Sequence, residues 1–143
     1  MVERTPVEAG FPPPGTGRWL WLSLLAAVAV LAVKLWPFAF GPPGPEPLLG
    51  LTHGGAWALL GQVALFVPVG LVETQLARRL LGGLGPLTLV LVAFDAALLG
   101  LIGETVQYWV PQRTSSIIDV TANAAGGVVG FLIVQQYEAW RGQ

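Results

Sequence analysis

The 143-residue sequence has no cysteine, so disulfides, thiol nucleophiles and cysteine metal sites are excluded. A single histidine, His53, rules out a multi-histidine metal centre within one chain. Charge is scarce: 10% of residues are Asp, Glu, Lys or Arg, and the formal net charge is −1. There is no basic surplus to hold nucleic acid, no acidic tail, no G-x-S-x-G, and no glycine loop to cradle a phosphate. No metal or other cofactor is expected. What the chain has in quantity is apolar residues, 54% of the total with a mean hydropathy of +0.68. That is too apolar for a soluble domain of this length.

Hydropathy divides the chain into a tail and four long runs. Residues 1–17 are rich in Pro and Gly without apolar periodicity and are expected to form a disordered cytoplasmic tail. Residues 18–141 are expected to form one domain. The first run, 19–36, is 18 residues, about 27 Å as a helix and enough to cross the hydrocarbon core. Trp19, Trp21 and Trp36 mark its ends as an aromatic belt would. Lys34, one turn from the end, can snorkel. The run is too long for a signal-peptide core and no good cleavage site follows, so it is read as a retained helix. A Pro- and Gly-rich connection to about Leu51 cannot be helical.

The second run, 55–81, contains Gln62 and Pro68, and Pro68 is expected to kink it. Glu73 and Arg78, five apart, make a poor helical pair and are read as solvated at the interface. The third run covers 86–110 and stops at Pro111; the fourth covers 116–140. The expectation is an all-α, integral-membrane four-helix bundle. With the N-terminus inside, the inner segments hold Arg4, Arg18, Arg78, Arg79 and Arg141, and the outer ones only Lys34 and Arg113. That asymmetry predicts both termini inside.

Against this background the stretch 104–127 stands out. Three charges and several amides and hydroxyls straddle the break between the last two runs. A carboxylate at the centre of a membrane helix costs about 2.5–3.5 kcal/mol, so such a cluster is a functional-site hypothesis by default. Glu104 and Gln107 are i, i+3 and share a face of the third helix, with Gly100 and Gly103 below them as places of close helix approach. Ser115, Asp119, Asn123, Gly126 and Gly130 form one stripe on the fourth helix. Arg113 falls at the rim, within reach of Glu104 or Asp119. The plainer alternative is structural: Ser116 or Asp119 caps the fourth helix, Arg113 neutralises Glu104, and Asn123 is interhelical glue.

Glu104-x-x-Gln107, Pro111-x-Arg113, Ser116-x-x-Asp119 and Asn123-x-x-Gly126-x-x-x-Gly130 together resemble the signature of the VanZ-like membrane proteins. Gln62-x5-Pro68-x-Gly70 is similar to a second element of that family, with Gln where the family pattern carries Asn. The resemblance spans roughly residues 52–134. It implies a small multi-pass protein of the bacterial inner membrane, in a family whose namesake confers low-level resistance to the glycopeptide teicoplanin.

Three functions are consistent with these residues. In the first, a site at the outer leaflet binds or modifies a lipid-linked envelope precursor or other amphiphile, including a lipoglycopeptide. Arg113 holds an anionic group by its fork, with Gln107, Asn123, Ser116, His53 and Gln62 as further ligand-binding candidates. If chemistry occurs, Glu104 or Asp119 is the candidate general base; whether the site binds or reacts stays open. In the second, the chain is a non-catalytic subunit of an envelope complex, or a homo-oligomer joined through its glycine faces. The third, a transporter or channel, ranks last because four helices carry no visible inverted repeat. Asp95, nine residues before Glu104, is read as structural, meeting Arg78, Arg79 or another helix.

Overall fold

The computed structural model describes residues 13–43, 47–51, 54–111 and 113–142. Through residue 12 the expected N-terminal tail lies outside the described residues, and so does His53. Four helices follow one another: α1 (Thr16–Leu35), α2 (Ala56–Leu81), α3 (Pro86–Gln107) and α4 (Ile117–Arg141). All four are long and apolar enough to cross a membrane. The chain is therefore an all-α, multi-pass membrane protein.

The helix boundaries follow local chemistry. Gly82, in the left-handed region at φ 77°, ends α2, and Pro86 opens α3 where a missing N–H costs nothing. α3 ends three residues before the expected Val110. Pro111 cannot continue a helix, and Trp109 and Val110 instead close tighter turns onto Val106 O (3.1 Å) and Gln107 O (2.8 Å). Ser116 is the N-cap of α4, its Oγ accepting the Ile118 N–H at 3.2 Å.

α4 packs on α2 and α3, while α1 packs on α2 and α3 and makes no packing contact with α4. Among lipid tails apolar burial drives little, so close packing must do the work. Between α2 and α4 glycine allows backbone contact: a Cβ on Gly130 would lie 2.6 Å from Val67 O, and one on Gly126 2.4 Å from Val63 O. On the other side Gly127 faces Ala96 and Val92 of α3. The glycine face of α4 is thus used inside the chain rather than left for a second copy. Phe66, Val69, Val30 and Ala96 make the apolar core.

The connection after α1 folds back over the bundle end. Gly41 N–H donates to Trp109 O at 2.8 Å. Further on, Gly50 N–H donates to Ser115 O at 2.9 Å and its carbonyl accepts from Ile117 N–H at 3.1 Å. These bonds fix the segment leading into α4, and with it the polar residues at that end.

Candidate functional site

The polar residues of α3 and α4 meet a partner from α1. Glu104 is fully buried, and its Oε1 accepts from Lys34 Nζ at 2.8 Å. Its Oε2 accepts the Ser116 N–H at 2.9 Å, one of the free amides at the start of α4, where a negative charge also suits the helix dipole. Lys34 Nζ donates a second bond to Gln62 Oε1 at 2.8 Å and stands 5.7 Å from the Phe66 ring centre. Gln107 Nε2 donates to the Lys34 carbonyl at 2.7 Å. One ion pair, two amide side chains and one backbone N–H thus tie α1, α2, α3 and the start of α4 together.

This arrangement corrects two expectations. Lys34 does not snorkel: its side chain is 1% exposed. The neutralising partner of Glu104 is Lys34, not Arg113. The reason is Gly103, where a Cβ would stand 2.7 Å from Lys34 Cε and 2.9 Å from Cδ, so the missing side chain is the channel through which the lysine stem reaches inward. Gly100 does the same for Asn123, whose Nδ2 lies 2.4 Å from the position of a Cβ there. The two glycines seat side chains rather than a neighbouring backbone.

Asn123 is fully buried, and among the described residues neither Oδ1 nor Nδ2 has a hydrogen-bond partner. Asp119 stands half-buried in the first turn of α4. Arg113 is exposed, and its Nη2 donates to Trp36 O at 3.3 Å. Trp36 stacks edge-on with Phe38, and both are exposed. Together with Ala32 and Val33 they line an apolar groove of about 440 Å³. The cluster expected as one site is therefore two layers. A sealed layer contains Lys34, Glu104, Gln107, Ser116 and Asn123, with the half-buried Gln62 at its edge; an open rim contains Arg113 and aromatic rings.

A family model described as VanZ/LLP1 matches residues 17–138. The chain belongs to the VanZ/LLP1 family. Comparison with curated proteins and with solved structures returns no match. The VanZ/LLP1 match begins at α1, ahead of the motifs that first suggested the family, and so takes in Lys34.

The geometry explains both sequence elements. In Gln62-x5-Pro68-x-Gly70 the amide oxygen receives Lys34, and Gly70 allows α2 to touch α4 at Gly127. In the second element Glu104 and Gln107 face α1, Ser116 caps, and Asn123 and the glycines pack. Chemically, both Glu104 oxygens are engaged and closed to solvent, so proton transfer to or from a ligand would require α1 to move.

Sequence reasoning missed Lys34, whose signal was a cation preceding Trp36 together with Gly103, read as a place of close helix approach, next to Glu104. It also missed a polar group at the opposite end. Glu73 is not simply solvated: it accepts a hydrogen bond from Ser23 of α1 and shares two lateral grooves, of about 240 and 260 Å³, with the exposed Asp95. Arg78 pairs with Glu138 at 2.7 Å, and Arg79 donates to Pro14 O at 3.1 Å.

Proposed function

We propose that this VanZ/LLP1 protein binds a lipid-linked or otherwise amphiphilic cell-envelope molecule at the outer leaflet of the bacterial inner membrane, with both termini cytoplasmic. The Arg113 rim receives the anionic head group, and the groove of Ala32, Val33, Trp36 and Phe38 receives the adjoining chain. The observation that carries the reading is the exposed Arg113 guanidinium beside that groove, held among the described residues by one long bond to a backbone carbonyl. A fork with donors to spare next to aromatic rings suits a phosphate or carboxylate on an apolar tail. The sealed Lys34–Glu104 layer keeps α1, and with it the groove, in register with the start of α4. By family resemblance the phenotype is altered teicoplanin susceptibility.

Arg113→Ala removes charge-assisted bonds worth about 1.5–3 kcal/mol, roughly a ten- to hundredfold loss in retention of phosphatidylglycerol by the full chain in mixed-lipid nanodiscs. Native mass spectrometry measures that retention, and teicoplanin susceptibility of expressing cells gives the phenotype. Unchanged retention and susceptibility in Arg113→Ala, Glu104→Gln and Asp119→Asn would sink the reading. A second reading, a non-catalytic assembly subunit, draws on the sealing of the ion pair, which needs no ligand. It expects Arg113→Ala to be silent and an envelope enzyme to co-purify.

A further inference from the structure

An ammonium group away from water needs a counter-ion and acceptors for its three protons. Lys34 Nζ has the Glu104 carboxylate, the Gln62 amide oxygen and the face of Phe66. Carboxylate, amide oxygen and aromatic face are the kinds of group that recognise an ammonium ion. Asn123 of α4, seated against Gly100 one turn before Glu104 on α3, is fully buried with both polar atoms unpaired among the described residues. An unpaired buried amide costs roughly 1–3 kcal/mol, which a polar ligand group would recover.

The wall that closes this cradle is α1, the least embedded helix. Only 11% of its most apolar window is buried, against 39% for α4. Its described buried residues are Thr16, Val30 and Lys34. Much of its hold is polar: Lys34 on Glu104 and Gln62, Gln107 on the Lys34 carbonyl, Arg113 on the Trp36 carbonyl, and Ser23 on Glu73. Polar contacts can be exchanged for equivalent ones from a ligand, whereas a glycine-seated backbone contact cannot.

We infer that Glu104, Gln62, Phe66 and Asn123 form a recognition site for the primary ammonium group of an amphiphile, and that Lys34 occupies it from within while α1 is closed. The inference rests on the amphiphile-binding reading and narrows its ligand. The phosphate sits at Arg113, the ammonium replaces Lys34 in the cradle, and the tail follows the groove of Trp36 and Phe38. Lys34 and Trp36 are two residues apart on α1, so the cradle and the Arg113 rim lie at the same end of the bundle. Phosphatidylethanolamine has this chemistry. Phosphatidylcholine, whose nitrogen has no proton to donate to Glu104 and Gln62, lacks it, as does phosphatidylglycerol.

Lys34 is the only lysine in the chain, so an isotope label on the lysine side-chain nitrogen gives one resonance. The full chain in nanodiscs of phosphatidylglycerol is titrated with phosphatidylethanolamine, with phosphatidylcholine, or with free phosphoethanolamine. The expected result is displacement of the Lys34 resonance by phosphatidylethanolamine and not by phosphatidylcholine. Displacement by free phosphoethanolamine as well identifies the head group, from either source, as the ligand. A Lys34 resonance identical in all lipids overturns the inference.

Lys34→Met removes the internal competitor and is expected to tighten phosphatidylethanolamine retention about tenfold or more, since the competent fraction rises. Equal gains for all three lipids mean a loosened bundle and also overturn it. If Lys34→Met does not fold, the resonance titration alone decides. Failure of the amphiphile reading itself looks different: Arg113→Ala then changes the retention of no lipid, whatever Lys34 does.

Discussion

Gly70 offers a sharp test of how the bundle is held. A Cβ there would stand 2.3 Å from Gly127 O, 2.8 Å from Gly127 Cα and 2.9 Å from its carbonyl carbon. Ordinary contact begins at 3.4 Å, so Gly70→Ala forces α2 and α4 apart by roughly 1 Å. No side chain can rotate out of the way, because the obstacle is backbone. A retreat of that size also opens the neighbouring contacts of Gly126 with Val63 and of Gly130 with Val67, and a gap of about 0.5–1 Å forfeits a quarter to a half of each contact's attraction. Overpacking typically costs about 1–3 kcal/mol, and this site belongs at the upper end, near 3 kcal/mol or a hundredfold in the folded-to-unfolded ratio. Gly61 is the control: it lies on the same helix, exposed, with nothing within 4 Å of a Cβ. There the same substitution should stabilise by about 0.5–1 kcal/mol through helix propensity alone. Denaturant titration in mild detergent, followed by the fluorescence of the six tryptophans, measures both. If Gly70→Ala behaves like Gly61→Ala, the α2–α4 contact is not what holds the bundle.

Three further outcomes are expected. Glu104→Leu strands the sealed Lys34 ammonium and should cost about 3–5 kcal/mol, while the Lys34→Met, Glu104→Leu double variant should recover most of that loss; a double-mutant cycle that comes out additive would show the pair is uncoupled. Ser116→Ala removes the N-cap oxygen but keeps the N–H that Glu104 accepts, so the loss should be about 1 kcal/mol in the same titration. Arg113→Ala should leave stability within about 0.5 kcal/mol of the parent while lipid retention falls, because the side chain is exposed and bonds only a carbonyl in the described structure.

Much of the fold was legible because hydropathy and proline are local signals. Pro37, Pro86 and Pro111 bracket α1 and α3, and the expected boundaries lie within three residues of those observed. The shared face of Glu104 and Gln107 was legible for the same reason, since i, i+3 spacing is a property of one helix. The partner of that face was not. Lys34 meets Glu104 across 70 positions, and α1 is apolar nearly all round, so no hydropathy stripe tells which side turns inward. Nearness in sequence favoured Arg113, nine residues after Glu104. What decides instead is shape: Gly103 leaves room for a lysine stem, and Arg113 follows the turn that Pro111 imposes and ends outside.

The two ways of holding helices in this chain have different consequences for function. α2, α3 and α4 meet through glycines and small residues, where backbone approaches backbone and no ligand can substitute for the contact. α1 is joined to them largely by hydrogen bonds and one ion pair between groups a ligand also carries. Breaking that pair without replacement costs several kcal/mol, so α1 stays closed in an inert bilayer. Replacing its ammonium by another one costs only the difference between two similar interactions, so the closed state yields selectively to a ligand of matching chemistry. A salt bridge exchanged for hydrophobic contact would lack that selectivity: any tail fits any tail. On this reasoning the Lys34–Glu104 pair, near one end of the bundle, is what would make α1 responsive to a head group, and the Lys34 resonance is where that response is read.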